Sequence, residues 1–121
     1  MNKTICRRLE FIPSKEVDGI ILGNIALKKN KSLQELMVEN AEYSGQSQEQ
    51  DAGDVLNEIV SARIRYNEEL LFRLSLFGSY ILKLYTDTGE FFVGTPEYPC
   101  ILTYSSDKIY VNLTFKATKP I

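Results

Sequence analysis

The sequence contains no histidine and no tryptophan among its 121 residues. Histidine is the commonest general base in enzymes, a frequent zinc ligand and the usual activator of serine and cysteine nucleophiles. Its absence removes the most common routes to catalysis, and no glycine-rich phosphate loop or facing pair of carboxylates takes its place. We therefore expect a protein that is not an enzyme and that uses no cofactor and no metal.

Cysteine and long apolar runs are also scarce. Cys6 and Cys100 lie far apart without C-x-x-C spacing, which favours two reduced, buried side chains over a disulfide or a reactive thiol. No run approaches the roughly 18 apolar residues of a membrane span, and residues 1–15 lack the apolar core of a secretory signal. We expect a soluble protein that is cytoplasmic on synthesis and has no membrane partner.

Charge is unevenly distributed along the chain, although the net charge is only −2. Residues 1–31 carry seven basic and three acidic side chains, whereas residues 32–62 carry seven acidic and no basic ones. Opposite patches of this kind can steer a partner or a second copy of the chain, although solvated faces would give the same pattern. The basic run at residues 28–31 is short and lacks interleaved aromatics, so we expect no nucleic-acid partner.

The strongest structural signal lies in the last third of the chain. Two apolar, aromatic-rich runs flank Asp87, Thr88 and Gly89, which are residue types of a tight turn, and they predict a β-hairpin over residues 80–94. Residues 109–116 alternate apolar and polar side chains and predict a half-buried strand. The buried face of that strand consists of Ile109, Val111, Leu113 and Phe115. Another strand is expected at residues 100–104.

The N-terminal part is expected to contain two strands and a short helix. Residues 4–12 predict a first strand, and residues 19–27 predict a buried strand, bent at Gly23, that pairs with the first as a hairpin. The capping box formed by Ser32 and Glu35 predicts the start of the helix, which ends near residue 41. The apolar face of the first strand consists of Ile5, Leu9 and Phe11.

The middle of the chain completes the predicted fold. Residues 42–54 are polar and poor in apolar anchors, which predicts a mobile acidic loop within a single domain spanning residues 1–121. Residues 55–66 fit a helical face or one side of a strand, and their β-branched content favours the strand. A helix is expected at residues 68–77, followed by Gly78 as its stop. Its predicted buried face consists of Leu70, Leu71, Leu74 and Phe77. The predicted fold is α+β: a mainly antiparallel sheet of about six or seven strands, closing as a sandwich or partial barrel, with two short helices.

Aromatic side chains are concentrated in the last third of the chain. A small sheet whose side chains alternate between two faces cannot bury all of them unless both faces are covered. Exposed Tyr and Phe side chains are typical of a protein interface, whereas helices packed on both faces of the sheet would bury them in a core. The candidate interface residues are Tyr80, Tyr85, Phe91, Tyr98 and Tyr110.

Residues 61–121 also carry a family resemblance. The run Ser-Ala-Arg-Ile-Arg at residues 61–65 precedes a Leu-rich helix, and Val-Gly-Thr-Pro-Glu-Tyr-Pro at residues 93–99 follows the hairpin turn. This order, with a final strand ending Lys-Ala-Thr-Lys-Pro, resembles the C-terminal half of small virion-assembly proteins of tailed phages and prophages. The resemblance implies a non-enzymatic structural subunit of the head-to-tail connector or tail, located in the virion, with no cofactor and no catalytic residues.

The resemblance, the aromatics and the charge pattern together predict how the chain associates. We expect a homo-oligomer or an assembly with other structural proteins, arranged as a ring or lattice through sheet edges and opposite charges. Raised salt should weaken such contacts, because exposed charges are screened within about 10 Å at 0.1 M. The alternative is a β-rich module that binds a small ligand or another protein, and that would need an apolar pocket with a few convergent polar groups.

Overall fold

The structure is a computed structural model that describes residues 3–21, 24–49 and 53–121. In chain order its strands are β1 (Lys3–Ile5), β2 (Arg8–Pro13), β3 (Val17–Ile21), β4 (Asn24–Leu27), β5 (Gln34–Leu36), β6 (Asn40–Gln48), β7 (Val55–Arg65), β8 (Ser79–Thr86), β9 (Gly89–Val93), β10 (Cys100–Ser106) and β11 (Tyr110–Pro120). Helix α1 spans Glu68–Ser75, and a 3-10 helix spans Ser14–Glu16. The predicted antiparallel sheet is confirmed, although the described residues contain more strands than expected and one α-helix instead of two.

Nine of the strands form one sheet, in the order β1-β6-β7-β11-β10-β8-β2-β5, with β9 paired to β8. Strands β3 and β4 form a separate two-stranded sheet. Every strand pair in both sheets is antiparallel. The longest strand pairings join β7 to β11 over residues 55–65 and 110–120, and β6 to β7 over residues 40–48 and 55–63.

The first two strands connect the two ends of the large sheet. The amide of Cys6 donates to the carbonyl of Ala41 in β6 at 3.0 Å, and the amide of Arg7 donates to the carbonyl of Tyr85 in β8 at 2.7 Å. Strands β6 and β8 are near opposite ends of the strand order. Because β1 pairs with β6 and β2 pairs with β8, these two short strands form one kinked strand that draws the two ends together and curls the sheet around its inner face. The kink also turns Ile5 outward, where it is 70% exposed, so the predicted single strand with Ile5 on its apolar face is wrong.

The inner face of the curled sheet forms the main core. Val111, Leu113 and Phe115 alternate into it, as predicted, while Ile109 precedes β11 and is exposed. Tyr80 packs edge-on between two other rings, with centroid distances of 5.7 Å to Phe11 and 6.2 Å to Phe115. Buried members of this core also include Leu9, Leu36, Val60, Ile64, Leu74, Leu82, Leu84 and Val93.

A second, smaller core lies on the outer face of β2 and β8. Its buried residues are Ile12, Val17 and Ile81, and side chains of the β3–β4 sheet pack against them. The outer face is therefore covered there, which explains why neighbouring residues of β2 and β8 are buried on both sides. The predicted single buried strand over residues 19–27 and its pairing with the first strand are both wrong, because β2 pairs with β8 and β5. The bend predicted at Gly23 lies outside the described residues.

The helix predicted from Ser32 is wrong, because residues 34–36 form strand β5. Leu36 is buried opposite Leu9 of β2, and this long-range contact outweighs the local capping signal. The loop predicted over residues 42–54 is wrong for its first half, because β6 extends through Gln48 between β1 and β7. Polar side chains fit such a strand where they face solvent, since pairing satisfies the backbone. Residues 50–52 lie outside the described part of the chain.

The remaining predicted elements are confirmed. The strand predicted at residues 55–66 is β7, which spans Val55–Arg65, and the hairpin turns at residues 87–88 between β8 and β9. Helix α1 begins after Asn67, whose side chain accepts a hydrogen bond from the amide of Leu70 at 3.1 Å, and Gly78 follows it with a φ of 78°. Leu74 is buried beneath the helix as expected, whereas Phe77, predicted on the same face, is partly exposed.

Candidate functional site

Two adjoining clefts lie along helix α1, between the helix and strand β5. The first has a volume of about 200 Å³ and the second about 310 Å³. Arg73, in the last turn of the helix, lines both of them, so we describe them together as the α1–β5 cleft. The first cleft is mainly apolar, and its lining includes Phe11, Pro13, Gln34, Leu76 and Phe77.

Strand β5 contributes an edge to this cleft. In the described residues it pairs only with β2, so its second edge has no strand partner. Successive strand residues point to opposite faces, yet the strand residues Glu35 and Leu36 both line the second cleft, together with Met37 just after the strand. The strand therefore presents its backbone edge to the cleft, rather than one of its faces.

The charged residues that line the cleft are paired, with one exception. Glu16 pairs with Lys31 at 3.8 Å, Glu35 pairs with Arg8 at 3.3 Å, and Arg65 pairs with Glu39 at 3.6 Å. Arg73 has no ion-pair partner among the residues that the structure describes. A second cation stands at the end of the cleft, where Lys15 Nζ lies 5.4 Å from the centre of the Phe77 ring.

The five aromatic residues predicted at an interface are not brought to one surface. Tyr80 is buried, and its hydroxyl donates to the carbonyl of Leu74 in α1, so its prediction as an exposed aromatic is wrong. Phe91 faces inward and packs on Tyr43 with centroids 4.9 Å apart. Tyr85 lies on the outer face of the sheet, where its hydroxyl bonds Glu10.

The other two candidates lie elsewhere on the surface. Tyr98 is exposed in the segment between β9 and β10. Tyr110 lies under the guanidinium of Arg63, whose Cζ is 4.1 Å from the ring centre, and it is half-buried by that stacking. These residues therefore do not form one shared surface, and an interface role for Tyr85, Phe91, Tyr98 and Tyr110 stays a prediction.

Sequence reasoning missed the exposed apolar residues of α1. Phe72 and Leu76 are 65% and 60% exposed, and they lie one helical turn apart. A signal for Phe72 was available, because the predicted helix places it off the buried face formed by Leu70, Leu71 and Leu74. No such signal marked Arg73 or the edge of β5, because both depend on where a distant strand pairs.

The two cysteines are free and buried, as predicted. Burial, with a smaller contribution from the charge of Glu58, raises the pKa of Cys100 to about 12. Burial and the nearby Glu42 also raise the pKa of Cys6 above its ordinary value. Thiols with raised pKa values stay protonated at neutral pH and are poor nucleophiles.

Sites of two other kinds are absent from the part of the chain that the structure describes. Residues 3–21, 24–49 and 53–121 contain no group of three or more side chains suited to holding a metal ion. Over the same residues, no helix has both the length and the apolar character needed to cross a membrane. Comparison of the chain with protein-family models, curated proteins and solved structures gives no match.

Proposed function

We propose that this protein is a non-enzymatic structural subunit that associates with copies of itself or with other structural proteins. The phage head-to-tail connector or tail role implied by residues 61–121 is the specific form of this proposal, with the predicted partial barrel as its scaffold. The observation that carries it is the apolar surface of α1, where Phe72 and Leu76 project into solvent. Exposed apolar patches on small proteins commonly mark protein contacts.

The distribution of ion pairs indicates which force would drive association. Lys3 pairs with Glu42 at 3.6 Å, and Arg8 pairs with Glu35 at 3.3 Å. The basic first segment and the acidic second segment therefore partly neutralise each other within one chain. We expect apolar contact to dominate association, and the salt sensitivity suggested by the sequence to be correspondingly smaller.

Sedimentation velocity across micromolar to millimolar protein, at low and high salt, tests this proposal. We expect the weight-average mass to rise with concentration and to persist when salt is raised. The variant Phe72→Gln should shift self-association to higher concentration, because it removes an exposed apolar side chain from the patch. Ile5→Gln is the matched control, since Ile5 is equally exposed but lies on β1.

Three results would contradict the proposal. The first is a protein that stays a strict monomer at the highest concentration and captures no structural protein from its source. The second is an equal effect of the two variants on self-association, and the third is complete dissociation when salt is raised. The last result would assign association to charge instead of to the α1 surface. Circular dichroism of both variants should match the unchanged protein, which separates a lost contact from a lost fold.

A second candidate function is supported by the α1–β5 cleft. A cleft with apolar lining and a few polar groups is the general form of a binding site. A thermal-shift screen with metabolites distinguishes a small-ligand module from a structural subunit, since a ligand that binds only the folded protein raises its unfolding temperature, and does so further as the ligand concentration exceeds the dissociation constant. We rank this candidate second because the cleft is open along its length and bounded by a strand edge.

A further inference from the structure

The α1–β5 cleft has the dimensions of a short extended peptide. Its helical wall runs from Asn67 to Phe77, which at 1.5 Å per residue is about 15 Å long. An extended chain advances about 3.3 Å per residue, so four or five residues span this wall. The opposite wall is β5, whose second edge has no strand partner among the described residues.

The floor of the cleft is suited to apolar side chains on one face of such a segment. Phe11 and Tyr80 lie beneath the first cleft, and Leu36, Ile64 and Leu70 lie beneath the second. Alternate side chains of an added strand would point to this floor and away from it. Two apolar residues separated by one position would therefore occupy the two clefts.

The charge of the cleft indicates which side chain the bound segment carries between its two apolar residues. Arg73 lines both clefts and is the lining charge that lacks an ion-pair partner in the described structure, whereas Glu16, Glu35 and Arg65 are already paired. Lys15 adds positive potential at the Phe77 end. A carboxylate is the group that complements an unpaired guanidinium, because both of its oxygens can accept from the planar fork.

We propose that the α1–β5 cleft binds an extended segment of a partner protein, which adds to the free edge of β5 as a further strand and places an acidic side chain against Arg73. The backbone of the segment pairs with β5, its apolar residues occupy the two clefts, and its carboxylate makes it specific. Leu76 belongs both to the apolar surface of α1 and to the first cleft, whereas Phe72 lines neither cleft. The variant Phe72→Gln therefore separates this binding from the self-association proposed above, because it should weaken the self-association and leave peptide binding unchanged.

The test uses the full chain and three synthetic pentapeptides, each acetylated and amidated to remove terminal charges. The first is Val-Asp-Leu-Asp-Val, the second replaces both Asp residues by Lys, and the third is the first with alternate backbone amides methylated. Binding is followed by amide chemical shifts in nuclear magnetic resonance titrations. We expect the acidic peptide to shift the resonances of residues 34–37 and 67–77, and the lysine peptide to bind about fivefold or more weakly. The methylated peptide should lose binding, because it cannot donate to the edge of β5.

The charge-reversal variant Arg73→Glu completes the test. It should exchange the order of the acidic and lysine peptides, whereas Lys116→Glu, an exposed site on β11, should leave the order unchanged. Equal binding of the methylated peptide would assign the cleft to a helical or side-chain ligand and overturn the proposal. Resonance shifts confined to other strands, or no shifts at millimolar peptide, would also overturn it. Shifts of β5 resonances that depend on protein concentration in the absence of peptide would overturn it too, because they would assign the edge of β5 to a second copy of the chain.

Discussion

The hydroxyl of Tyr43 donates a hydrogen bond of 2.7 Å to Oε2 of Glu58, across the strand pair β6–β7. Glu58 is 6% exposed, and Gly45 lies opposite it in the strand register. A Cβ at Gly45 would lie 2.6 Å from the Tyr43 hydroxyl oxygen, so only glycine leaves room for the ring to pass over the strand and reach the carboxylate. The missing side chain at Gly45 therefore allows a buried acidic group to keep a donor.

Replacing Tyr43 by Phe should lower the free energy of unfolding by about 1–3 kcal/mol, because it leaves the buried Glu58 carboxylate without that donor. Glu58→Gln is the informative comparison, since its amide oxygen can still accept from the hydroxyl and it carries no charge. Urea unfolding at neutral pH measures both. A Tyr43→Phe protein as stable as the unchanged one would mean that solvent already satisfies Glu58.

Replacing Gly94 by Ala should destabilise the fold by about 1–3 kcal/mol. Gly94 has a φ of 89°, which costs an L-residue about 1–2 kcal/mol, and an added Cβ would lie 3.1 Å from Sγ of Cys100 and 3.2 Å from the carbonyl oxygen of Tyr80. Gly19→Ala is the matched control, since no atom lies within 4 Å of its added Cβ. Thermal unfolding compares the two, and equal losses would refute the steric argument.

Replacing Tyr80 by Phe should loosen the attachment of α1 to the sheet. The ring stays in the core, but the carbonyl of Leu74 loses its buried donor, at a cost of about 1 kcal/mol. Hydrogen exchange should accelerate at α1 amides more than at β11 amides. Tyr98→Phe serves as the control, because Tyr98 is an exposed residue away from α1, and it should leave both rates unchanged.

Stability should fall as pH rises from about 9 to about 12. Burial raises the pKa of Cys100 from 9.0 to about 12 and the pKa of Tyr80 from 10.0 to about 12. The unfolded chain loses these protons first, so it binds fewer protons than the folded chain across this window, while the full stability is present below pH 9. Between its ordinary and its raised pKa, each group contributes a slope of at most about 1.4 kcal/mol per pH unit, so the Cys100 contribution begins near pH 9 and the Tyr80 contribution near pH 10.

The variant Cys100→Ala isolates one of these contributions. It lowers stability at neutral pH through lost packing, but the decline of stability between pH 9 and 10 should be shallower than in the unchanged protein. Urea midpoints at successive pH values give the slope. An unchanged slope would assign the alkaline loss to groups other than this thiol.

The elements that sequence patterns predicted correctly are those whose evidence is local. The hairpin at residues 87–88, strand β11 and helix α1 each carry their own turn, alternation or cap. Strand β5 carries a capping signal for a helix and becomes a strand only because Leu36 meets Leu9 in the folded chain. Local propensities are weaker than such contacts.

The candidate site was less predictable than the fold for a related reason. Whether an aromatic residue faces the core or solvent depends on which side of the sheet becomes its inner face, and this is decided when the sheet curls. Tyr80 was therefore predicted as an interface residue and lies in the core. Arg73 gains its position in a cleft from β5, a strand that the sequence did not reveal.

The kinked strand formed by β1 and β2 also sets the order in which this chain can fold. Glu10 and Tyr85 are bonded although 75 residues separate them, while the neighbouring Cys6 bonds to Ala41. During synthesis β1 can meet β6 early, but β2 must wait for β8 to leave the ribosome. Contacts of such long range slow folding, because the intervening chain must be ordered first. The chain segment that is made first therefore leaves one edge of β2 without its β8 partner until residues 79–86 have been synthesised, and the nascent protein carries an open strand edge until then.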